Sequence, residues 1–214
     1  MRVAIGDVHG CLTELRTLVE DKLQVNKDDQ LYFVGDLVTK GPNSLGVLEY
    51  LMQLKAQDYQ VFSVVGNHEY RILHLYHNDF QLLETYLDQY RATDILNGEV
   101  NEIMAFLSSL PYYIDLGDTL IIHSELGLSE TYNQLDARAI FGMDKFAPFY
   151  ASQGLAAKMQ VFGHRARKLE DITFDTTMTS RAIGIDGGCV YPDYGYLCAL
   201  DLDKLLVIEV KRNA

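Results

Sequence analysis

The chain has 214 residues, 48% apolar and 22% charged, which suits a globular protein with a sizeable core and excludes a disordered or collagen-like chain. Its 18 Lys and Arg oppose 30 Asp and Glu, and this net charge of −12 argues against broad binding to nucleic acid. The odd set of Cys11, Cys189 and Cys198 contains no C-x-x-C pair, so we interpret these residues as small buried thiols. No apolar run reaches the ~20 residues of a membrane span, and the early Asp7 and His9 argue against a secretory signal. We therefore expect a cytoplasmic protein without membrane contacts.

Five short apolar runs predict buried strands, and a polar residue of a metal-ligand type follows each of them. The runs are 3–5, 31–34, 61–65, 120–122 and 159–162, and the residues that follow are Asp7 and His9, Asp36, Asn67 and His68, His123, and His164. Helical patterns lie between the first runs, and alternation of strands with helices predicts a largely parallel sheet. Because parallel strands gather their carboxyl ends at one edge, all of these polar residues are predicted to meet there.

Spaced apolar residues predict the individual helices. One helix is expected over residues 12–23, and a second begins where either Asn43 or Ser44 can cap it. Residues 69–110 look mainly helical, with a break near Asn97-Gly98, and form the natural insertion over the site. The segments 196–202 and 204–210 predict an antiparallel hairpin.

The donors at the strand ends are carboxylate, amide and imidazole groups. Oxygen mixed with imidazole suits Mn, Fe, Co or Zn better than Mg or Ca. Six ligands are too many for one tetrahedral zinc ion, but they fit two ions about 3.5–4 Å apart that share a carboxylate and a water. Such a pair would make hydroxide from water and neutralise a phosphoryl group. The six are Asp7, His9, Asp36, Asn67, His123 and His164.

Four segments resemble the signature blocks of the calcineurin-like metallophosphoesterases: 6–10, 35–42, 66–69 and 163–164. The similarity is greatest to the phosphoprotein phosphatase branch, which includes the bacterial symmetrical diadenosine tetraphosphatases. It runs from residue 3 to about residue 200, so we expect a single domain of this type over residues 1–214. The resemblance implies an α/β fold, a sandwich of two mixed β-sheets flanked by helices, with the helical insertion near residues 69–110.

The resemblance also implies a role for each matched residue. His68 resembles the general acid, and imidazole can carry a proton near neutral pH. Lys40 stands where the family usually has an Arg on the phosphate oxygens, and Asn67 is expected to contact substrate as well as metal. Arg138 is the candidate for a second phosphate-binding Arg, with Arg165 as the alternative. One ion would take Asp7, His9 and Asp36, and the other would take Asp36, Asn67, His123 and His164, with Asp36 bridging.

Several positions depart from the family pattern. Thr39 replaces the Asp that orients the catalytic His in protein phosphatases, and the diadenosine tetraphosphatases also lack that acid. Glu69, in contrast, is typical of protein phosphatases. His123 is followed by Ser-Glu instead of a small residue and Gly. Segment 186–191 resembles a late family block. We interpret Cys189 there as structural, and Tyr191 or the nearby Tyr194 as a contact at the edge of the site.

We therefore expect a phosphoesterase that uses two divalent metal ions, with Mn as the expected metal, and that hydrolyses phosphate monoesters through a metal-bound hydroxide. The leading prediction is a serine/threonine protein phosphatase, favoured by Glu69 and the compact chain. The alternative is a symmetrical diadenosine tetraphosphate hydrolase, favoured by Thr39 and Ser44-Leu45. The expected partner is thus a phosphoprotein or a small phosphoester or nucleotide. A non-catalytic phosphate-binding module would have lost a ligand or His68, and none is lost.

Overall fold

The computed structural model describes residues 1–125, 158–178 and 181–212. Its first sheet has five strands in the order β3-β2-β1-β8-β9, and its second has four in the order β4-β5-β6-β7. The first contains β1 (Arg2–Ile5), β2 (Gln30–Phe33), β3 (Gln60–Ser63), β8 (Tyr196–Asp201) and β9 (Leu206–Lys211). The second contains β4 (Tyr113–Asp115), β5 (Thr119–Ile122), β6 (Met159–Phe162) and β7 (Ala182–Gly184).

Three neighbouring strands on one side of each sheet are parallel, as the alternation of strands and helices predicts. Strands β1, β2 and β3 are mutually parallel, and so are β5, β6 and β7. Strand β8 runs antiparallel to both β1 and β9, which confirms the predicted terminal hairpin and makes the first sheet mixed. Strand β4 is antiparallel to β5 and makes the second sheet mixed as well.

Helices flank the sheets; the predicted ones lie where the apolar spacing places them, and one further helix, not predicted from the sequence, follows β6. The helices are α1 (Leu12–Arg16), which continues as a π-helical turn over Thr17–Lys22, α2 (Ser44–Ala56), α3 (Asn67–Asn78), α4 (Phe80–Gln89), α5 (Val100–Ser108) and α6 (Leu169–Thr177). A 3-10 turn over Thr93–Asn97 separates α4 from α5 and corresponds to the predicted break. The predicted insertion is therefore helical, and it has a further break at Asp79 between α3 and α4.

Alternate residues of β1 belong to two different cores, which explains why the strand is apolar from Val3 to Ile5. Val3 and Ile5 belong to the cluster that contains the leucines of α1 and α2. Ala4 belongs to the cluster between the two sheets, where it joins Ile121 and Val161 of the second sheet. A strand buried on both faces has no polar side, so it reads as a continuous hydrophobic run. The sandwich of two mixed sheets flanked by helices is the fold that the family resemblance implies.

The start of α2 decides between the two predicted caps. The Asn43 side chain accepts a hydrogen bond from the backbone N–H of Gly46 at 2.8 Å, as an N-cap does. The Ser44 hydroxyl is buried and instead accepts from the backbone N–H of Thr39 at 2.9 Å. Asn43 therefore caps the helix, while Ser44 fastens the loop that follows β2.

The three cysteines are free and buried, as predicted. Among the residues that the structure describes, no helix combines the length and apolar character that a bilayer span requires.

Replacement of Asn43 by Ala is expected to lower the free energy of unfolding by about 1 kcal/mol, because the first turn of α2 loses an acceptor. Asn43→Asp keeps an acceptor and should change the same quantity by less than about 0.5 kcal/mol. Urea denaturation of both variants measures the difference. Equal destabilisation by Ala and Asp would contradict the capping role.

Candidate metal centre

Side chains that follow five different strands meet at one edge of the molecule. Potential ligand atoms of His9, Asp36 and His68 lie within 4.8 Å of one another, and so do those of Asp7, Asp36 and His123. Asp36 belongs to both groups. Its Oδ2 lies 3.5 Å from His9 Nε2, and its Oδ1 lies 3.5 Å from His123 Nε2. The predicted convergence is therefore present, with one carboxylate at its centre.

The second half of the cluster contains Asn67, His123 and His164. Asn67 Oδ1 lies 2.9 Å from His123 Nε2 and 3.0 Å from His164 Nδ1, and the two imidazole nitrogens are 3.2 Å apart. The backbone N–H of His164 donates to both oxygens of Asp7 at 3.0 and 3.2 Å. The structure thus brings all six predicted ligand residues into one cluster of contacts.

The hydrogen bonds behind the imidazoles show which ring atoms face the cluster as lone pairs. His123 Nδ1 lies 2.9 Å from the carbonyl oxygen of Val34, and His9 Nδ1 lies 3.0 Å from that of Val38. A carbonyl only accepts, so each Nδ1 carries the hydrogen and each Nε2 presents a lone pair. In the second half of the cluster, His123 Nε2 and Asn67 Oδ1 are then two facing acceptors. Acceptors that converge on one point, with each imidazole oriented by a hydrogen bond from Nδ1 to a backbone carbonyl, fit a divalent cation.

Burial sets the protonation of the centre. It lowers the pKa of His123 and of His164 to about 4 and that of His9 well below its usual range, so the imidazoles are neutral near pH 7. Burial also raises the pKa of Asp36 to about 6 and that of Asp7 well above its ordinary value. Neutral imidazoles and crowded carboxylates favour a bound positive charge. A divalent ion of the kind predicted from the sequence would supply that charge.

Asp186 is a member of this centre that sequence reasoning did not single out. Its charge is the second cause, after burial, of the raised pKa of Asp7, and burial raises its own pKa to about 6. Its Oδ1 accepts from the backbone N–H of Gly188 at 2.8 Å, which holds the following glycine turn. The sequence feature that could have indicated Asp186 is its position as the first residue of segment 186–191, directly before two glycines.

The loops of the centre hold backbone strain. Five of the nine described non-glycine residues with positive φ lie here: His9 (47°), Asp36 (47°), Thr39 (74°), Lys40 (64°) and His164 (72°). Left-handed backbone at residues other than glycine is uncommon and concentrates at functional sites, where the surrounding structure imposes it. Gly41 allows the close approach of two such loops, because a Cβ there would overlap the carbonyl oxygen of His9.

His68 contacts a residue that no sequence pattern indicated. The hydroxyl of Tyr86, on α4, lies 2.7 Å from His68 Nδ1. Thr39, at the position of the orienting Asp in protein phosphatases, has a buried hydroxyl with no hydrogen-bond partner among the described residues. Burial lowers the pKa of His68 to about 3, so the ring is neutral near pH 7. If Tyr86 donates to Nδ1, the ring carries its hydrogen on Nε2.

The predicted phosphate contacts have different outcomes. Lys40 lies at the cluster, with its Nζ 2.9 Å from His9 Nε2. Arg165 is exposed beside His164, and its backbone N–H donates to the carbonyl of Gly163. Arg138 lies outside the described residues.

The carboxylate of Glu69 holds the loop that carries Asp36. Its Oε2 accepts from the backbone N–H groups of Asp36 and Gly66 at 2.9 Å each. Its Oε1 accepts from those of Leu37 at 2.9 Å and Val38 at 3.2 Å. Glu69 is fully buried, and burial raises its pKa to about 8, while the backbone donors act against that rise by stabilising the ionised form.

Glu69→Gln is expected to lower the free energy of unfolding by about 2–6 kcal/mol. Either orientation of the amide turns an NH₂ group towards two buried N–H donors, and each donor left without an acceptor costs about 1–3 kcal/mol. Chemical denaturation measures the change. Glu49→Gln, on the exposed face of α2, is the matched control and should change stability by less than about 0.5 kcal/mol. Equal effects of the two substitutions would show that the bonds to Glu69 carry no net stability.

A profile of the calcineurin-like phosphoesterase family matches residues 2–173. The symmetrical bis(5'-nucleosyl)-tetraphosphatase of Wigglesworthia glossinidia brevipalpis is 34% identical over 109 residues, 50% of this chain and 37% of that protein. The protein of the same name from Erwinia tasmaniensis is 31% identical over 137 residues, 63% of this chain and 47% of that protein. The chain thus spans less than half the length of these curated relatives.

Solved structures share the fold. One provisionally described as a diadenosine tetraphosphatase has a TM-score of 0.69 and 24% identity, and the match covers 100% of this chain and 94% of that one. A protein serine/threonine phosphatase from Saccharomyces cerevisiae has a TM-score of 0.60 and 16% identity, with 100% and 80% covered. The profile match over most of the chain shows the family: this chain belongs to the calcineurin-like phosphoesterases.

Proposed function

We propose that this chain is a metal-dependent phosphoester hydrolase that cleaves dinucleoside tetraphosphates symmetrically. The observation that supports hydrolysis is the pair of clusters of potential metal ligands that share Asp36. The substrate class is inferred from relatives named as symmetrical bis(5'-nucleosyl)-tetraphosphatases, which match this chain at 31–34% identity. The absence of an acid at position 39 points the same way.

This proposal reverses the order of the two functions expected from the sequence. The serine/threonine protein phosphatase was the leading prediction, and the tetraphosphatase was the alternative. The curated relatives support the alternative, whereas the yeast protein phosphatase shares only the fold at 16% identity. Glu69, which favoured the first prediction, binds backbone N–H groups and bears on loop structure instead of on substrate.

The six clustered side chains are the proposed metal ligands. Asp7, His9 and Asp36 would hold one ion, and Asp36, Asn67, His123 and His164 would hold the other. Two divalent ions supply acidification of water and positive charge opposite phosphoryl oxygens. Imidazole-rich donors favour Mn, Fe, Co or Zn over Mg, and Mn is the ion we propose.

The remaining residues act on the substrate. One water is consumed: a P–O bond in the middle of the tetraphosphate breaks, the water oxygen bonds to one phosphorus, and two nucleoside diphosphates leave. Lys40 places a positive charge at the cluster, where it can pair with a phosphate oxygen. The negative charge of a bound substrate favours the imidazolium form of His68, in which Nδ1–H donates to the Tyr86 oxygen and Nε2–H can pass a proton to the oxygen of the bond that breaks.

Product analysis tests the proposed function. With Mn²⁺-loaded protein, diadenosine tetraphosphate should give ADP as the sole nucleotide product, at a kcat/KM at least ~10-fold above that for a phosphoserine peptide. Protein stripped with chelator is the control and should show no turnover until Mn²⁺ is restored. A phosphopeptide preferred over the dinucleotide would return the protein phosphatase to first place. Undiminished turnover without metal would overturn the metal centre.

His68 and Tyr86 are tested with substrates that differ in leaving group. His68→Asn should lower kcat about 10²–10⁴-fold, as loss of a proton donor does. Tyr86→Phe removes one hydrogen bond and should lower kcat about 3–10-fold with little change in KM. Both losses should be smaller for an aryl phosphate than for an alkyl phosphate, because an aryl oxide needs less protonation.

Tyr76→Phe is the matched control, since its hydroxyl contacts Asn101 on the exposed side of the insertion. Metal content is measured in every sample. Equal losses for alkyl and aryl substrates in His68→Asn would exclude proton donation by His68, and wild-type kcat in Tyr86→Phe would exclude a role for the phenol.

A further inference from the structure

A cavity of about 750 Å³ lies beside the metal centre. Lys40 and the two following residues form one wall, and a second wall is formed by Val190, Tyr191, Pro192, Tyr194 and Gly195. Arg91, which follows α4, and the end of β9 complete it. The volume falls in the range of small-molecule sites, which is about 300–1,000 Å³.

The walls of the cavity are positively charged, in contrast to the rest of the chain. Lys40, Arg91, Lys211 and Arg212 line it, and no Asp or Glu is among its described lining residues. The chain as a whole carries a net charge of −12. Four cations gathered in one concave surface of an acidic protein favour an anionic ligand, because a cleft of one sign concentrates ions of the other.

Lys40 connects the cavity to the metal centre. Its Nζ lies 2.9 Å from His9 Nε2 and 5.6 Å from the centre of the Tyr191 ring. A ligand that occupies the cavity therefore lies next to the atoms proposed to bind the phosphoryl group. The cavity continues the site instead of forming a separate one.

The loop that carries Tyr191 and Tyr194 is held in place by hydrogen bonds from Arg212. Arg212 donates from Nη1 to the carbonyl of Val190 at 3.1 Å and from its backbone N–H to that of Gly195 at 2.7 Å. Tyr191 and Tyr194 meet edge to face, with ring centres 6.5 Å apart. Tyr191 remains 38% exposed, which is high for a large aromatic residue beside a buried centre. A held and accessible ring is suited to stacking against a planar base.

We propose that this cavity binds one nucleoside diphosphate half of the substrate. Tyr191 stacks on the base, Arg91 and Lys211 pair with the phosphates, and Lys40 stands where the polyphosphate enters the metal centre. This inference rests on the proposed function and deepens it, because it assigns the part of the chain that recognises the nucleotide.

Binding of products tests the cavity independently of turnover. Calorimetric titration of Mn²⁺-loaded protein should give tighter binding of ADP than of inorganic pyrophosphate, since only ADP has a base to stack. Tyr191→Ala should weaken ADP binding about 10-fold and leave pyrophosphate within about 2-fold, whereas Tyr191→Phe should retain ADP binding. Arg91→Gln should weaken both ligands about 3-fold. Lys22→Ala, an exposed cation on the π-helical turn after α1, is the matched control for charge.

The outcomes separate this inference from the proposed function. Selective loss of ADP binding in Tyr191→Ala supports the cavity even if the wild-type protein does not cleave diadenosine tetraphosphate, a result that would defeat the function alone. If the wild-type protein cleaves that substrate but Tyr191→Ala binds ADP normally, the cavity assignment is overturned and the function stands. Equal affinity of the wild-type protein for ADP and pyrophosphate also overturns it. Thermal unfolding of each variant confirms that it is folded.

Discussion

One buried carboxylate unites the loops on which the centre depends. Glu69 lies in the first turn of α3, and its carboxylate accepts hydrogen bonds from three successive backbone N–H groups in the loop after β2. It also accepts one from the backbone N–H of Gly66 in the loop after β3. These N–H groups lie beyond the strands, so no sheet partner satisfies them, and a buried donor without an acceptor is costly. A single side chain therefore fixes Asp36 relative to Asn67 and His68, which come from a different strand.

The centre itself is unfavourable without a cation. Asp7, Asp36 and Asp186 are buried near one another, and burial is the largest cause of the raised pKa of each. His9, Asp36 and His164 adopt left-handed backbone, which costs free energy at residues other than glycine. The fold tolerates these conditions because the strands and Glu69 hold the loops in place. Binding of a cation at the centre would offset these costs and stabilise the folded chain.

The helical insertion contributes to both ends of the proposed substrate site. Helix α4 supplies Tyr86, whose hydroxyl contacts His68 where an acid at position 39 is missing. The residue two positions after α4, Arg91, lines the cationic cavity. A phenol orients the imidazole without adding negative charge, unlike the carboxylate of protein phosphatases. The same segment thus bears on the proton donor and on the proposed nucleotide site.

The sequence by itself determined the parallel strands, the terminal hairpin, the helical insertion and the side chains that would meet at one edge, because apolar periodicity and the direction of parallel strands are local properties. It also limited the cap of α2 to Asn43 or Ser44. Only the tertiary structure decided between those two, placed Tyr86 on His68 and Asp186 beside Asp7, and gathered four cations around Tyr191. Apart from those of the cap, these contacts join residues 18 to 179 positions apart. Sequence spacing carries no signal at such separations, since the meeting of two distant segments depends on how the sheets and the insertion pack.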